Sequence, residues 1–235
     1  MTPDSSNLLA QLLERRLNGE PAAYITGSKE FFGLSFEVSP AVLIPRPETE
    51  VLVEKAVELA ATLFRGRCTI ADVGTGCGAI AVALAARLPE ARICATDISA
   101  SALEVAAGNC RTHGFSDRVT LLRGDLLDPL PEPVHIIVAN MPYVPAQALK
   151  DLPAEICRFE PILALNGDSD GLDTIRRLVT QAGERLLPGG VVLLEIGHDQ
   201  GRAVCALARE RFPQADVAVT KDLRGLDRVV SIVTA

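Results

Sequence analysis

The sequence predicts an α/β fold: a doubly wound, mostly parallel seven-stranded sheet with an antiparallel last strand, preceded by an N-terminal helix and a β-hairpin. Two observations carry this expectation. From residue 68 onward, short runs rich in β-branched and aliphatic residues alternate with helical or loop segments, as they do where helices cover both faces of a parallel sheet. The last two runs follow each other closely, which makes them a hairpin and turns one strand against the others. With 235 residues, 48% of them hydrophobic, the chain has enough material for one domain with a full core.

In chain order, NLLAQLLERRL (7–17) has helical spacing, with Leu8, Leu9, Leu12, Leu13 and Leu17 on one side. Asn18-Gly19 stops that helix, and Pro21 confirms the break. Arg15 and Arg16 fall on its solvated face, where a partner can reach them. GSKEFFGLSFEVSPAVLIPRPETE (27–50) combines alternation with turn residues, which reads as a short hairpin and then an irregular loop. Pro47 stands where a helix starts, and ETEVLVEKAVELAATLF (48–64) sets Leu52, Ala56, Leu59 and Leu63 on one face. Strands are then expected in CTIADVGT (68–75), ARICATDI (91–98), RVTLLRGD (118–125), VHIIVAN (134–140) and GVVLLEIG (190–197). DVAVTKD (216–222) and DRVVSIVT (227–234) supply the closing hairpin.

Composition excludes several classes. A net charge of -7 is a poor match for a phosphate backbone. The six cysteines (Cys68, Cys77, Cys94, Cys110, Cys157, Cys205) show no CxxC pair and no Cys/His spacing suited to zinc, so they read as reduced thiols and no metal is expected. No basic start followed by an apolar stretch marks a secretory signal, and no apolar run is long enough to span a bilayer. The chain reads as soluble and cytoplasmic.

In open parallel sheets, ligands bind outside the carboxyl ends of the strands, and four such ends carry suggestive residues. Gly74, Gly76 and Gly78 lie between a strand and a helix, where missing Cβ atoms let the backbone turn tightly and approach a ligand. The spacing is GxGxG and not the dinucleotide GxGxxG. Asp97 ends the next strand, about twenty residues on, where a carboxylate can accept from both hydroxyls of a ribose. A plainer role, capping the following helix, is open to it, although Ser99 can cap equally well. Asp125 and Leu126 end the third strand. Asn140, Met141, Pro142 and Tyr143 follow the fourth, a cluster that alone would pass for a turn. Glu195, at the end of the fifth, borders the same region or makes a structural hydrogen bond. His113, His135 and His198 share no spacing and read as surface or strand-end residues.

The glycine turn, the Asp97 carboxylate and the Asn-x-Pro-Tyr cluster resemble an S-adenosylmethionine-dependent methyltransferase that modifies planar amino groups. GEPAAYITGSKEFFGLSFEVSPAVLIPRPETE (19–50), EPILALNGDSDGLDTIRRLV (160–179), LLPGGVVLLEIGHDQG (186–201) and DLRGLDRVV (222–230) resemble the protein-(glutamine-N5) methyltransferases acting on peptide-chain release factors. The likeness spans residues 9–231, and the IPRPETE loop is its most specific part, because the Asn-x-Pro-Tyr cluster is shared with DNA and RNA amino-methyltransferases. It implies a Rossmann-like domain at 48–235, a hairpin and loop at 29–47, and a remnant of an N-terminal helical domain at 1–28. It further implies S-adenosylmethionine on Gly74, Thr75, Gly76, Cys77, Gly78, Asp97, Leu126 and Asn140, with Cys77 contributing its backbone N–H. A release factor is the implied protein substrate. Asn140 and Tyr143 would be catalytic, and Asn140, Met141, Pro142 and Tyr143 would hold the glutamine. The Asn140 side-chain oxygen and the carbonyl of residue 141 would accept the two amide N–H bonds while Tyr143 packs on the amide plane. Such acceptors suit a nitrogen whose lone pair is delocalised, because rate then comes from positioning and from stabilising developing charge.

Two departures stand out. The family's cluster is Asn-Pro-Pro-Tyr, and Met141 replaces its first proline; the chain also starts near the last helix of the family's N-terminal domain. If only the carbonyl of residue 141 takes part, proline there should be neutral or favourable through reduced chain freedom. Two other classes are compatible with the cluster: a methyltransferase for the exocyclic amine of a nucleic-acid base, and a module that binds cofactor without catalysis.

Overall fold

In the computed structural model, which describes residues 3–235 with side chains from residue 7 onward, each run expected to be a strand contributes one strand to a sheet. Helices α1 (Pro3–Leu17) and α2 (Ala22–Thr26) lead to a hairpin of β1 (Ser28–Phe31) and β2 (Leu34–Glu37). A loop and a 3-10 turn at Pro47–Thr49 enter α3 (Glu50–Phe64). The sheet is built from β3 (Thr69–Val73), β4 (Arg92–Asp97), β5 (Val119–Arg123), β6 (Val134–Asn140), β7 (Leu186–Glu195), β8 (Asp216–Lys221) and β9 (Asp227–Val233). Between them run α4 (Ala79–Arg87), α5 (Ala100–Thr112), α6 (Ala154–Phe159), α7 (Asp173–Arg185) and α8 (Gly201–Arg211).

The strand order is β5-β4-β3-β6-β7-β9-β8. All neighbours are parallel except β9, which runs antiparallel to β7 and to β8. The chain winds outward from β3 to β5 and then returns to lay β6 on the other side of β3, so order reverses at that pair. A crevice opens at such a reversal. Side chains alternate across the sheet: Ile70, Ile93, Ile136 and Leu193 pack under α3, α4 and α5, and Val73, Ile137, Val192 and Leu194 under α7 and α8.

Differences from the expected elements are local. The buried face of α3 is Leu52, Val53, Ala56 and Ala60, while Leu63 is 46% exposed. The helix is turned so that Val53 and Ala60 join Leu52 and Ala56 on its buried face, which periodicity alone does not reveal. In α1 the predicted apolar side lies on the surface, with Leu8, Leu9, Leu13 and Leu17 all exposed. Among the described residues no helix is long and apolar enough to cross a membrane.

The N-terminal hairpin belongs to the same core as the sheet. Phe31 and Phe36 are buried with α4 and α5, and the Tyr24 hydroxyl donates to the Val42 carbonyl at 2.6 Å. Asn109, 1% exposed on α5, is the main polar tie. Its Oδ1 accepts from Glu37 N at 2.8 Å, and its Nδ2 donates to the carbonyls of Glu37 at 3.0 Å and Cys77 at 2.8 Å. One side chain thereby fastens the hairpin to the glycine turn. Asn109→Leu should cost about 2–3 kcal/mol in urea unfolding, because one buried and two part-buried backbone groups lose their partner. Asn109→Asp should be no milder, since one of its oxygens would face two carbonyls.

Candidate active site

The crevice is bounded first by the turn leaving β3. Gly74 and Gly76 have φ of 70° and 55°, the left-handed region that glycine enters without strain. Gly74 N and Thr75 N both donate to the Thr96 carbonyl, at 2.9 and 3.0 Å, pinning the turn to the end of β4. Of the residues expected in this turn, only Gly74 and Gly76 line the cavity. Thr75 faces inward and donates its hydroxyl to Asp72 Oδ2 at 2.6 Å. Asp72 also accepts from Ala81 N at 3.1 Å, and complete burial pushes its carboxyl up to about 7. Cys77 is buried, with its thiol pushed up to about 12 by desolvation, and Gly78 packs against Ala106. These three residues shape the turn from behind.

Asp97 sits where β4 ends, and its two oxygens are shared between the turn and the helix. Oδ2 accepts from Gly76 N and Oδ1 from Ser99 N, each at 2.9 Å. The capping of α5 falls to Ser99, whose hydroxyl accepts from Ala102 N at 3.2 Å. A carboxylate has about four acceptor positions, so Asp97 keeps capacity for further donors. Leu126 adopts φ of 50° and is held there by the Thr96 hydroxyl, which donates to its carbonyl at 2.9 Å. These residues line one side of a cavity of about 390 Å³ that runs from Ser99 and Leu126 past Gly74 and Gly76 to Asn140 and Met141. Asp125, expected nearby, pairs with Arg177 at its rim.

A second cavity of about 170 Å³ meets the first at Asn140, Met141, Leu43 and Ala164. Tyr143, Val144, Leu152, Ile156 and Leu165 give it apolar walls, and Arg46 stands at its edge. The loop after β6 is braced from below. Val144 N donates to Leu165 O at 3.1 Å, Gly167 N to Val144 O at 2.8 Å, and Gln200 Nε2 to Tyr143 O at 3.1 Å. Gly171 packs so tightly that a Cβ there would lie 2.3 Å from the Tyr143 carbonyl. Among the described residues nothing donates to the Met141 carbonyl or to Asn140 Oδ1. The Met141 thioether is buried and lies over Gly74, where an added Cβ would meet its methyl at 2.3 Å. It therefore packs the wall between the two cavities.

Several contacts were not foreseen from the sequence, although Glu195 itself was expected to border the site or to make a structural hydrogen bond. Arg46 pairs with the buried Glu160 at 2.5 Å, and Glu160 also accepts from Ile44 N at 3.3 Å, so the IPRPETE loop is bolted to segment 160–166 across the site. Thr49 accepts from Asn140 Nδ2 at 3.1 Å. Glu195 is 1% exposed and lies opposite Asn140 in the sheet register. Burial pushes its carboxyl up to about 7, against hydrogen bonding from Thr49 and Asn140 and the nearby Arg228. Arg46 and Glu160 are far apart in sequence, and no local pattern joins them. The three histidines stay apart from the site: His113 meets the Ser35 carbonyl, His135 meets Thr69, and His198 is exposed.

Comparison with known proteins agrees with this geometry. The family described as methyltransferase small domain matches residues 49–157. A release factor glutamine methyltransferase of Moorella thermoacetica is 49% identical over 229 residues, which is 97% of this chain and 80% of the relative. One of Neisseria gonorrhoeae is 48% identical over 223 residues, 93% of this chain and 78% of the relative. Among solved structures, a release factor-specific protein-(glutamine-N5) methyltransferase of Alicyclobacillus acidocaldarius is 33% identical with a TM-score of 0.50, covering 85% of this chain and 99% of that one. A 16S rRNA N2 G1207 methyltransferase of Thermus thermophilus, solved with AdoMet and guanosine, has a TM-score of 0.62 at 19% identity, covering 88% of this chain and 50% of that one, a likeness of fold. The chain belongs to the release factor glutamine methyltransferase family.

Proposed function

We propose that this enzyme transfers a methyl group from S-adenosylmethionine to the side-chain amide nitrogen of a glutamine in a peptide-chain release factor, acting in the cytoplasm where such substrates are found. The observation that carries the reading is the meeting of two cavities at Asn140 and Met141, where, among the described residues, nothing donates to the Asn140 side-chain oxygen or the Met141 carbonyl.

The larger cavity fits the cofactor. Gly74 and Gly76 give an open backbone floor, Asp97 retains acceptor capacity beside it for ribose hydroxyls, and Leu126 with Ala102 and Ile98 offers apolar surface for a base. When bound, the cofactor supplies a methyl group already activated on a sulfonium. The smaller cavity has the size and apolar walls for a glutamine side chain, with Tyr143 available to pack on the amide plane. Asn140 Oδ1 and the Met141 carbonyl accept its two N–H bonds, which aims the nitrogen toward the larger cavity. Holding both N–H bonds also favours the positive charge that develops on nitrogen as the new bond forms.

Asp97→Ala should weaken S-adenosylmethionine binding about ten- to a hundredfold in calorimetry, since charge-assisted hydrogen bonds are lost and the Gly76 N–H loses its acceptor. Unchanged affinity would remove Asp97 from the cofactor site. Asn140→Ala should lower turnover on release factor about a hundredfold or more, the scale of a lost oxyanion-type contact. Wild-type turnover in that variant would refute the mechanism, and methylation of DNA or RNA in preference to release factor would refute the substrate. For Met141, the buried thioether adds a packing cost that the sequence alone does not reveal. Met141→Ala should lose roughly 2 kcal/mol of stability and keep turnover within about tenfold, because the carbonyl survives. Met141→Pro gains about 0.4–1 kcal/mol from reduced unfolded-state freedom but leaves the space over Gly74 partly empty. A lower melting temperature is expected, in place of the higher one that the sequence suggests.

A further inference from the structure

We propose that Glu195 is a positioning residue for this transfer: acting through Thr49, it orients the Asn140 amide so that Oδ1, and not Nδ2, faces the substrate nitrogen. The inference rests on the methyl-transfer reading above and deepens it.

A side-chain amide presents an acceptor at one end and two donors at the other. If Asn140 were flipped, its NH₂ would confront the NH₂ of the glutamine, donor against donor. Something in the protein must decide between the two orientations. Thr49 holds Nδ2 at 3.1 Å, but a hydroxyl both donates and accepts, so alone it would satisfy either end. The choice requires an acceptor-only group beside them, which takes the Thr49 proton and favours Nδ2 on its own side of the amide. An ionised carboxylate is such a group, and Glu195 is in place to be it. Register pairs Glu195 with Asn140 on adjacent strands, and Thr49 and Asn140 both lie against its carboxyl.

Thr49 is helical, at the junction of the 3-10 turn and α3, so its hydroxyl is not needed as a cap and makes no capping hydrogen bond. Its hydroxyl is spent on Asn140 instead. Glu195 is buried, and its Oε2 has no hydrogen-bond partner among the described residues. Burying a half-satisfied carboxyl is costly. Nor is it retained for a salt bridge: the nearby cation, Arg228, is committed to Asp222 at 3.1 Å and to the Ile196 carbonyl at 3.2 Å.

The charged and titratable groups facing Glu195 are Arg228 on β9, Glu48 in the turn before α3, and the Tyr143 phenol. Arg228 favours the ionised form; Glu48 and burial oppose it. Both forms are therefore accessible near pH 7. Once protonated, Glu195 can itself donate, Thr49 is released to donate elsewhere, and the Asn140 orientation is no longer specified. The competent state is the ionised one, so turnover should rise with pH as the proton leaves.

The test compares wild type with Thr49→Val, Thr49→Ser, Glu195→Gln and Asn140→Ala, reading kcat on release factor across pH, affinity for S-adenosylmethionine by calorimetry, and the Asn140 side-chain amide resonance, which the alanine variant assigns. Thr49→Val should lower kcat about tenfold or more while cofactor affinity stays within about twofold, and Thr49→Ser should restore kcat to within about threefold. Wild-type kcat should climb through about pH 7, with the Asn140 resonance moving over the same range, and Glu195→Gln should flatten both. A resonance that does not move with pH in wild type, a Glu195→Gln variant with unaltered kcat and pH profile, or a Thr49→Val variant at wild-type kcat would each overturn the assignment. So would loss of cofactor affinity in parallel with kcat, which marks general damage. If wild type fails to methylate release factor, the substrate reading fails, while the resonance titration still decides the role of Glu195.

Discussion

Parallel pairing of β3 with β6, from Ile70 opposite Ile136 to Val73 opposite Ala139, brings together two strand ends that are more than sixty residues apart in the chain. Because the strand order reverses at this pair, helices diverge to opposite faces and leave the carboxyl ends open. Gly74 leaves one strand as Asn140 leaves the other, and Met141 then folds its thioether over Gly74. Slippage by one residue would exchange the two faces of β6, turning Ile136 and Val138 toward α7 and α8 and Ile137 and Ala139 toward the opposite layer, and moving Asn140 off the crevice.

Around that pair, polar side chains in the interior join segments that apolar packing alone would leave free to slide. Asn109 links the N-terminal hairpin to the glycine turn, Asp72 links that turn to the start of α4, and Glu160 links the loop before α3 to the segment that supports Tyr143. Each has directional partners, so each selects a geometry as well as contributing energy. The site is consequently composite. The loop before α3 supplies Leu43 and Arg46, β6 and its loop supply Asn140 to Tyr143, and segment 161–166 closes the remaining side.

Acidic groups recur near the junction, and each is treated differently. Asp97 is partly exposed and shared between two backbone N–H groups, Asp72 is buried behind the turn with a hydroxyl and an N–H on one oxygen, and Glu195 is buried beside Asn140; among the described residues, Asp72 Oδ1 and Glu195 Oε2 both lack a hydrogen-bond partner. Burial raises the last two toward neutrality. The difference in environment separates a carboxylate on the cavity wall from one that braces the backbone and one that faces the side-chain amide.

Strand and helix order were legible in the sequence because apolar periodicity reports directly on which elements are buried on one face or two. Gly74, Gly76, Asp97, Leu126 and Asn140 were legible as cavity residues because strand ends followed by turn-forming or polar residues mark the ligand edge of an open α/β sheet. The inward placement of Thr75, Cys77 and Gly78 was not, since a turn's sequence does not say which of its residues line the cavity. Nor were the rotation of α3, the surface position of the α1 leucines, the Arg46–Glu160 pair, or the convergence of Thr49 and Glu195 on Asn140. Sequence determines local periodicity and turn chemistry, which act over a few residues. Partners separated by about a hundred residues are chosen only when the sheet closes, because burial then compels each stranded polar group to find whatever the fold has brought within reach.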